Sequence, residues 1–301
     1  MYTANDPRAS LAPAAAAPVA LPPTFARAEI GLFYQEPPQQ SGPEGTTWLI
    51  RGQNFIIAQS ELRPGGVLSR QGQSDEYIVL VMNHDTPVTV DADGQTSSVG
   101  GFSLIIVPPG DSAVTLPNGG SVTRIFSPVS KDLAAQCSNA DSYAEHRVNI
   151  PPFQPWPAPP DGYRIRTYSL DVPKQPGRFG RIWRCTTVMV NVLEEQIGPR
   201  DVTLLSPHHH DDFEQCSLAL SGSFIHHLRW PWTPNMKAWR EDEHPHVGSP
   251  SVTVIPPPAI HTTRGMEPGL NQLIDIFAPP RIDFSQKQGW VLNADEYPLP
   301  E

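Results

Sequence analysis

Ser206-Pro207-His208-His209-His210-Asp211-Asp212-Phe213-Glu214-Gln215-Cys216-Ser217-Leu218-Ala219-Leu220-Ser221-Gly222 sets two imidazoles two positions apart, then a carboxamide, then a closing glycine. In an extended chain, side chains two apart share a face, so His208 and His210 can present two rings to one point. Gln215 opens an apolar run that reads as the next strand, and Gly222 suits the turn at its end. Downstream, Pro256-Pro257-Pro258-Ala259-Ile260-His261 follows the β-like run from Val252 to Ile255 and brings in a third imidazole after a turn. Alone, the His-His-His-Asp-Asp run reads equally well as a polar surface loop. Its coupling to Gln215, Gly222 and His261 points instead to a metal site of His208, His210, Gln215 and His261. Three neutral nitrogens and one oxygen suit one divalent transition ion: Fe, Mn, Ni, Co or Zn. Glu214 competes for the fourth place, and the distance to Gly222 favours Gln215.

Outward from this stretch, the text is short β-like runs between turn signals. Ile182 to Val192, Val202 to Leu205, Phe224 to Leu228, Val252 to Ile255 and Gln272 to Phe277 form one series. A second series fills the first half: Trp48 to Ile50, Phe55 to Ala58, Tyr77 to Met82, Val88 to Asp91, Phe102 to Val107 and Val122 to Phe126. Asp93-Gly94, Pro109-Gly110 and Asn118-Gly119 punctuate it. Between the two series lie a candidate short helix, Lys131 to Tyr143, and the extended run from Pro151 to Pro160. The expected organisation is a Pro/Ala-rich arm over 1–24 and a first barrel over 25–130. A helix and linker over 131–176, a second barrel over 177–279 and a tail over 280–301 wrapping a barrel exterior complete it. The arm is expected to rest on a barrel or on a second subunit.

The two metal-site segments resemble the paired motifs of the cupin superfamily. His208 and His210 match the two histidines of the first motif, Gln215 stands where that family usually has Glu, Gly222 matches the closing glycine, and His261 matches the histidine of the second motif. Pro258 and Gly265 depart from the second motif's usual glycine and asparagine, and Val202 departs from the first motif's opening glycine. The resemblance implies an all-β chain of two double-stranded β-helix, or jelly-roll, barrels in tandem. In the first half Glu76 falls like the first-motif glutamate, with Asn83 in the glycine place. Ser69 and Gln71, or Arg70 and Gly72, fill the histidine positions, and Ala113 replaces the second-motif histidine. The first barrel is therefore expected to be metal-free and structural.

Composition excludes several classes. The chain has 36 prolines and 22 glycines among 301 residues, with 17% charged, which disfavours long helices. A net charge of -10 disfavours phosphate-backbone binding, so no nucleic-acid partner is expected. No segment approaches the ~20 apolar residues of a membrane span. Three scattered cysteines, Cys137, Cys185 and Cys216, suggest neither a disulfide framework nor a thiolate zinc site. The Ala/Pro-rich opening lacks a basic start, so no secretory signal is expected and the cytoplasm is the expected location. Barrel packing suggests a homo-oligomer.

Three neutral imidazoles and an amide leave an ion its full charge and open positions, a catalytic type of site. The first expectation is a metal-dependent enzyme acting as a Lewis acid on a small oxygen-rich metabolite (sugar acid, keto acid or enol) in isomerase- or lyase-type chemistry. The alternatives are an iron-dependent dioxygenase of an aromatic or diketone substrate, and a non-enzymatic small-molecule-binding protein. Glu214 and His227 are candidate proton-transfer groups. Arg264 is a candidate catalytic cation, and Arg184, Arg229 and Trp183 are candidate substrate contacts. Trp230 and Trp232 either line the mouth or fill the barrel. His244 and His246 read as surface histidines, and only one of His226 and His227 can face inward.

Overall fold

The computed structural model describes residues 24–300, so the arm expected over 1–24 lies, but for its last residue, outside the described residues. The fold is all-β: 21 strands, with two one-turn α-helices and three short 3-10 helices among the described residues. The larger sheet of the first half runs Arg166–Ser169, Ser103–Val107, Tyr77–Val81, Gly120–Phe126, Ile56–Leu62, Gly45–Arg51, Gln40–Ser41. That of the second half runs Glu29–Leu32, Ser251–Ile255, Glu214–Ser221, Leu270–Ala278, Met189–Val192, Arg181–Arg184. A smaller sheet closes each barrel: Gly66–Gln73, Gly110–Leu116, Val88–Ala92 and Gln95–Val99 in the first, and His246–Val247, Phe224–Arg229 and Ile260–Gly265 in the second. The two halves thus repeat one topology.

Each half lends the other an edge strand. Glu29–Leu32, expected within the first barrel, pairs antiparallel with Ser251–Ile255 of the second. Arg166–Ser169, expected within the linker, pairs with Ser103–Val107 of the first. Each four-residue strand covers a sheet edge that would otherwise lie open. The stretch Lys131 to Tyr143 resolves into a helix over Lys131–Ala134 and a 3-10 turn over Ala140–Tyr143, not one helix.

The two larger sheets pack face to face. Ile57, Ile78, Leu80 and Ile125 from one side meet Trp183, Val190, Cys216, Leu218 and Ile276 from the other, all buried. With their second faces turned into the barrels, central strands such as Tyr77–Val81 are buried at every position, which explains their unbroken apolar sequence. The tail does more than wrap an exterior: Tyr297 is fully buried in the inter-barrel core, its hydroxyl donating to Glu76 at 2.7 Å.

Glu76 and Glu214 stand at equivalent points, each at the start of the central strand of its sheet. Glu76 accepts from the Thr186 amide and hydroxyl of the second half at 3.3 and 3.1 Å. Glu214 accepts from the Gln53 and Asn54 amides of the first at 3.0 and 2.8 Å. Glu76 therefore corresponds to Glu214 and not, as the motif spacing suggested, to the Gln215 position, which Tyr77 fills.

Candidate metal centre

His208 and His210 lie on the loop before Glu214–Ser221, and His261 is the second residue of Ile260–Gly265. Reciprocal backbone hydrogen bonds tie the two segments, His208 N to His261 O at 3.0 Å and His261 N to His208 O at 2.7 Å. The ring centroids are 4.5 Å apart for His208 and His261, 4.9 Å for His208 and His210, and 5.2 Å for His210 and His261. One ring nitrogen from each falls within 4.8 Å of the others.

Gln215 completes the cluster. Its Oε1 lies 3.0 Å from His210 Nε2 and 3.2 Å from His261 Nε2. Its Nε2 donates to Asp275 Oδ1 at 3.2 Å, which turns the carbonyl end toward the imidazoles. Ser217 Oγ donates to the same Asp275 oxygen at 3.0 Å.

The backbone sets the tautomers. His208 Nδ1 lies 2.8 Å from Ser206 O and His261 Nδ1 lies 2.9 Å from Ala259 O. A carbonyl only accepts, so both Nδ1 atoms carry the hydrogen and both Nε2 lone pairs are free. Burial, and then the His261, Arg281 and His208 charges, pulls His210 down to about 3, and burial pulls His261 down to about 4. Both rings are neutral at pH 7, as a ligand must be. Neutral, preoriented imidazoles and an amide oxygen held by a buried carboxyl fit a divalent transition ion, the nitrogens favouring such an ion over Mg or Ca.

The cluster lies beside a cavity of about 400 Å³ lined by His208, Gln215, His261, Asp275 and Thr263, with Lys174, Arg178 and Arg200 contributing cations. His210 is backed by Phe213 at 4.2 Å, and the Arg281 guanidinium covers Phe213 at 4.9 Å.

The other candidates fall elsewhere. Glu214 is fully buried, but its carboxylate is engaged by the first barrel, so Gln215 and not Glu214 faces the imidazoles. His227 is on the outer side of its strand, its Nδ1 2.8 Å from His244 Nδ1. His226 is the one facing inward, fully buried, with Nδ1 2.9 Å from Thr263 Oγ1. Arg264 lies outside the residues lining the cavity. Arg229 forms an exposed ion pair with Asp242 at 2.5 Å. Arg184 is buried, donating to the Tyr297 and Pro298 carbonyls and covering Trp156 at 4.9 Å. Trp183 belongs to the inter-barrel core, and Trp230 is buried beside Phe25 and Leu228. Trp232 is exposed and stacked on Trp239 at 4.9 Å.

Two kinds of residue escaped the reading of the sequence. Asp275 sits in the apolar run Leu273-Ile274-Asp275-Ile276-Phe277, where a lone carboxyl was the available signal. Lys174, Arg178 and Arg200 lie in loops whose placement no periodicity reveals.

No family model matches the chain, and no curated protein matches it. Solved structures do. A Lactobacillus farciminis oxalate decarboxylase in complex with formate matches with a TM-score of 0.58 at 14% identity, over 86% of this chain and 88% of that one. A variant of Bacillus subtilis oxalate decarboxylase OxdC matches with a TM-score of 0.56 at 13% identity, over 84% and 78%. AerE from Microcystis aeruginosa matches with a TM-score of 0.54 at 11% identity, over 80% and 95%. At such identities the likeness is one of fold. Among the described residues, no helix is long and apolar enough to cross a membrane.

Proposed function

We propose that this chain, a two-barrel cupin by fold, holds one divalent transition metal through the Nε2 atoms of His208, His210 and His261 and Oε1 of Gln215, and is an enzyme acting on a small carboxylic acid or related oxygen-rich metabolite. The observation that carries the reading is the convergence of three imidazoles and one amide oxygen beside a cavity to which Lys174, Arg178 and Arg200 contribute. When bound, the ion supplies Lewis acidity, undiminished by any anionic ligand.

The chain's own groups do the rest. The Ser206 and Ala259 carbonyls fix the tautomers of His208 and His261, and Asp275 fixes the amide of Gln215. Lys174, Arg178 and Arg200 attract an anion to the mouth. Arg200 donates to Thr263 O at 2.9 Å and to Leu204 O at 3.1 Å, which holds the loop before His208 against the strand that carries His261. The Phe213 and Phe277 rings keep water from the side of His210 away from the cavity. The oxalate decarboxylases named above share the fold, which makes small acids the first substrates to try. Three buried, unpaired cysteines suit a reducing compartment, in keeping with the cytoplasm.

The test is turnover of a panel of small carboxylic, keto and hydroxy acids by metal-replete protein, followed by proton NMR with and without dioxygen. Conversion that a chelator abolishes is expected. Anaerobic conversion marks Lewis-acid chemistry, and strict dioxygen dependence marks the oxygenase alternative. Substrate binding without conversion by protein carrying one metal ion per chain would overturn the enzymatic reading.

A further inference from the structure

The first barrel inverts the chemistry of the second. Ile125 pairs with Ile78 and Ile57, and Ile276 pairs with Cys216 and Val190, at matching points of the two sheets. The preceding residues, Arg124 and Asp275, therefore occupy one position in the repeated topology, each turned into its own barrel. In the second barrel a buried carboxyl supports a cation site. In the first, the same position carries a guanidinium.

Arg124 is 3% exposed. No ion pair or hydrogen bond of its guanidinium is found among the described residues, and its Nε is buried without a partner. Burial lowers it to about 10, which leaves it cationic at neutral pH. Stacking is its compensation: the Phe126 ring lies 5.3 Å from its Cζ. Arg70, which shares the Phe126 ring, is already engaged by Asp132 at 2.6 and 3.0 Å. A buried charge is unfavourable unless something pairs with it.

Arg124 lines a cavity of about 280 Å³, together with Gln40, Thr47, Leu62, Ser69 and Glu44. Among the described residues that line it, the one acid, Glu44, is exposed and accepts from the Val67 amide at 2.7 Å, not from Arg124. At roughly 30 Å³ per water-sized group, the space takes on the order of ten non-hydrogen atoms. One free guanidinium fork balances one negative charge and matches a carboxylate bidentately.

We propose that the first barrel binds a small monocarboxylate through the guanidinium of Arg124, in the cavity flanked by Thr47, Leu62 and Ser69. The site is separate from the candidate metal centre and does not depend on it.

The test is calorimetric titration of the full chain with sodium propionate at constant ionic strength, beside Arg124→Met, Arg124→Lys and the His210→Ala/His261→Ala double variant. Saturable binding is expected in the wild type and in the double variant. Arg124→Lys should weaken it at least tenfold, since an ammonium lacks the planar fork, and Arg124→Met should abolish it. Should Arg124→Met fail to fold, Ser69→Trp blocks the mouth from an exposed position and should abolish binding equally. No saturable binding in the wild type, equal binding in a folded Arg124→Met, or loss of binding in the double variant would each overturn the proposal.

Discussion

Glu76 and Glu214 are counterparts, each crossing from the central strand of one barrel to accept hydrogen bonds from a loop of the other. Burial is the largest influence on both and raises both above the ordinary carboxylate range, Glu214 to about 7. Between about pH 4.5 and pH 7 the folded chain keeps a proton on Glu214 that the unfolded chain has released. Stability from this group is thus lost as pH rises through that window, by at most ~3 kcal/mol. Glu214→Gln cannot titrate. Urea denaturation of both proteins should show the variant gaining on the wild type as pH rises from about 5 to about 8. The inward histidines, such as His226, titrate in both and cancel. A difference that stays flat with pH contradicts the buried clasp.

Asp275 holds Gln215 so that its oxygen, not its nitrogen, faces the imidazoles. Asp275→Ala should leave the fold intact, since it removes a buried carboxyl, yet weaken metal binding about ten- to a hundredfold. Competition against a chelator measures this. Unchanged affinity would mean that Gln215 is oriented without Asp275, or is not a ligand.

Trp183, read from the sequence as a substrate contact, is buried between the barrels. Trp183→Ala should cost about 3–5 kcal/mol in denaturant unfolding while leaving the metal content of the folded protein unchanged. A variant as stable as the wild type but unable to bind substrate would return Trp183 to the site.

The convergence of the three histidines and Gln215 was legible because these residues lie in two short segments whose spacing reflects strand geometry. His208 and His210 share a face, and His261 follows the one turn that brings its strand alongside. The tandem barrels were legible because each β-like run is bounded by its own turn signals. What escaped notice depends on distant parts of the chain. The exchange of Glu29–Leu32 and Arg166–Ser169 leaves no trace in four-residue strands whose pairing is decided by the other half. Arg184 looked like a site residue because a guanidinium can clamp a carboxylate, and Trp183 because an aromatic ring can line a barrel mouth. In fact both faces of Arg181–Arg184 are covered, one by the opposite sheet and the other by the tail. Glu76 was matched to the metal-ligand position because spacing alone cannot separate adjacent residues whose side chains point to opposite faces.

The proposed function requires one ion held by four side chains. Elemental analysis of protein purified without added metal, beside the His210→Ala/His261→Ala variant, tests it most directly. We predict about one transition-metal ion per chain in the wild type and essentially none in a variant that keeps the wild-type circular dichroism. Equal metal content in the two proteins, or a wild type that neither carries nor takes up a divalent transition ion, would contradict it.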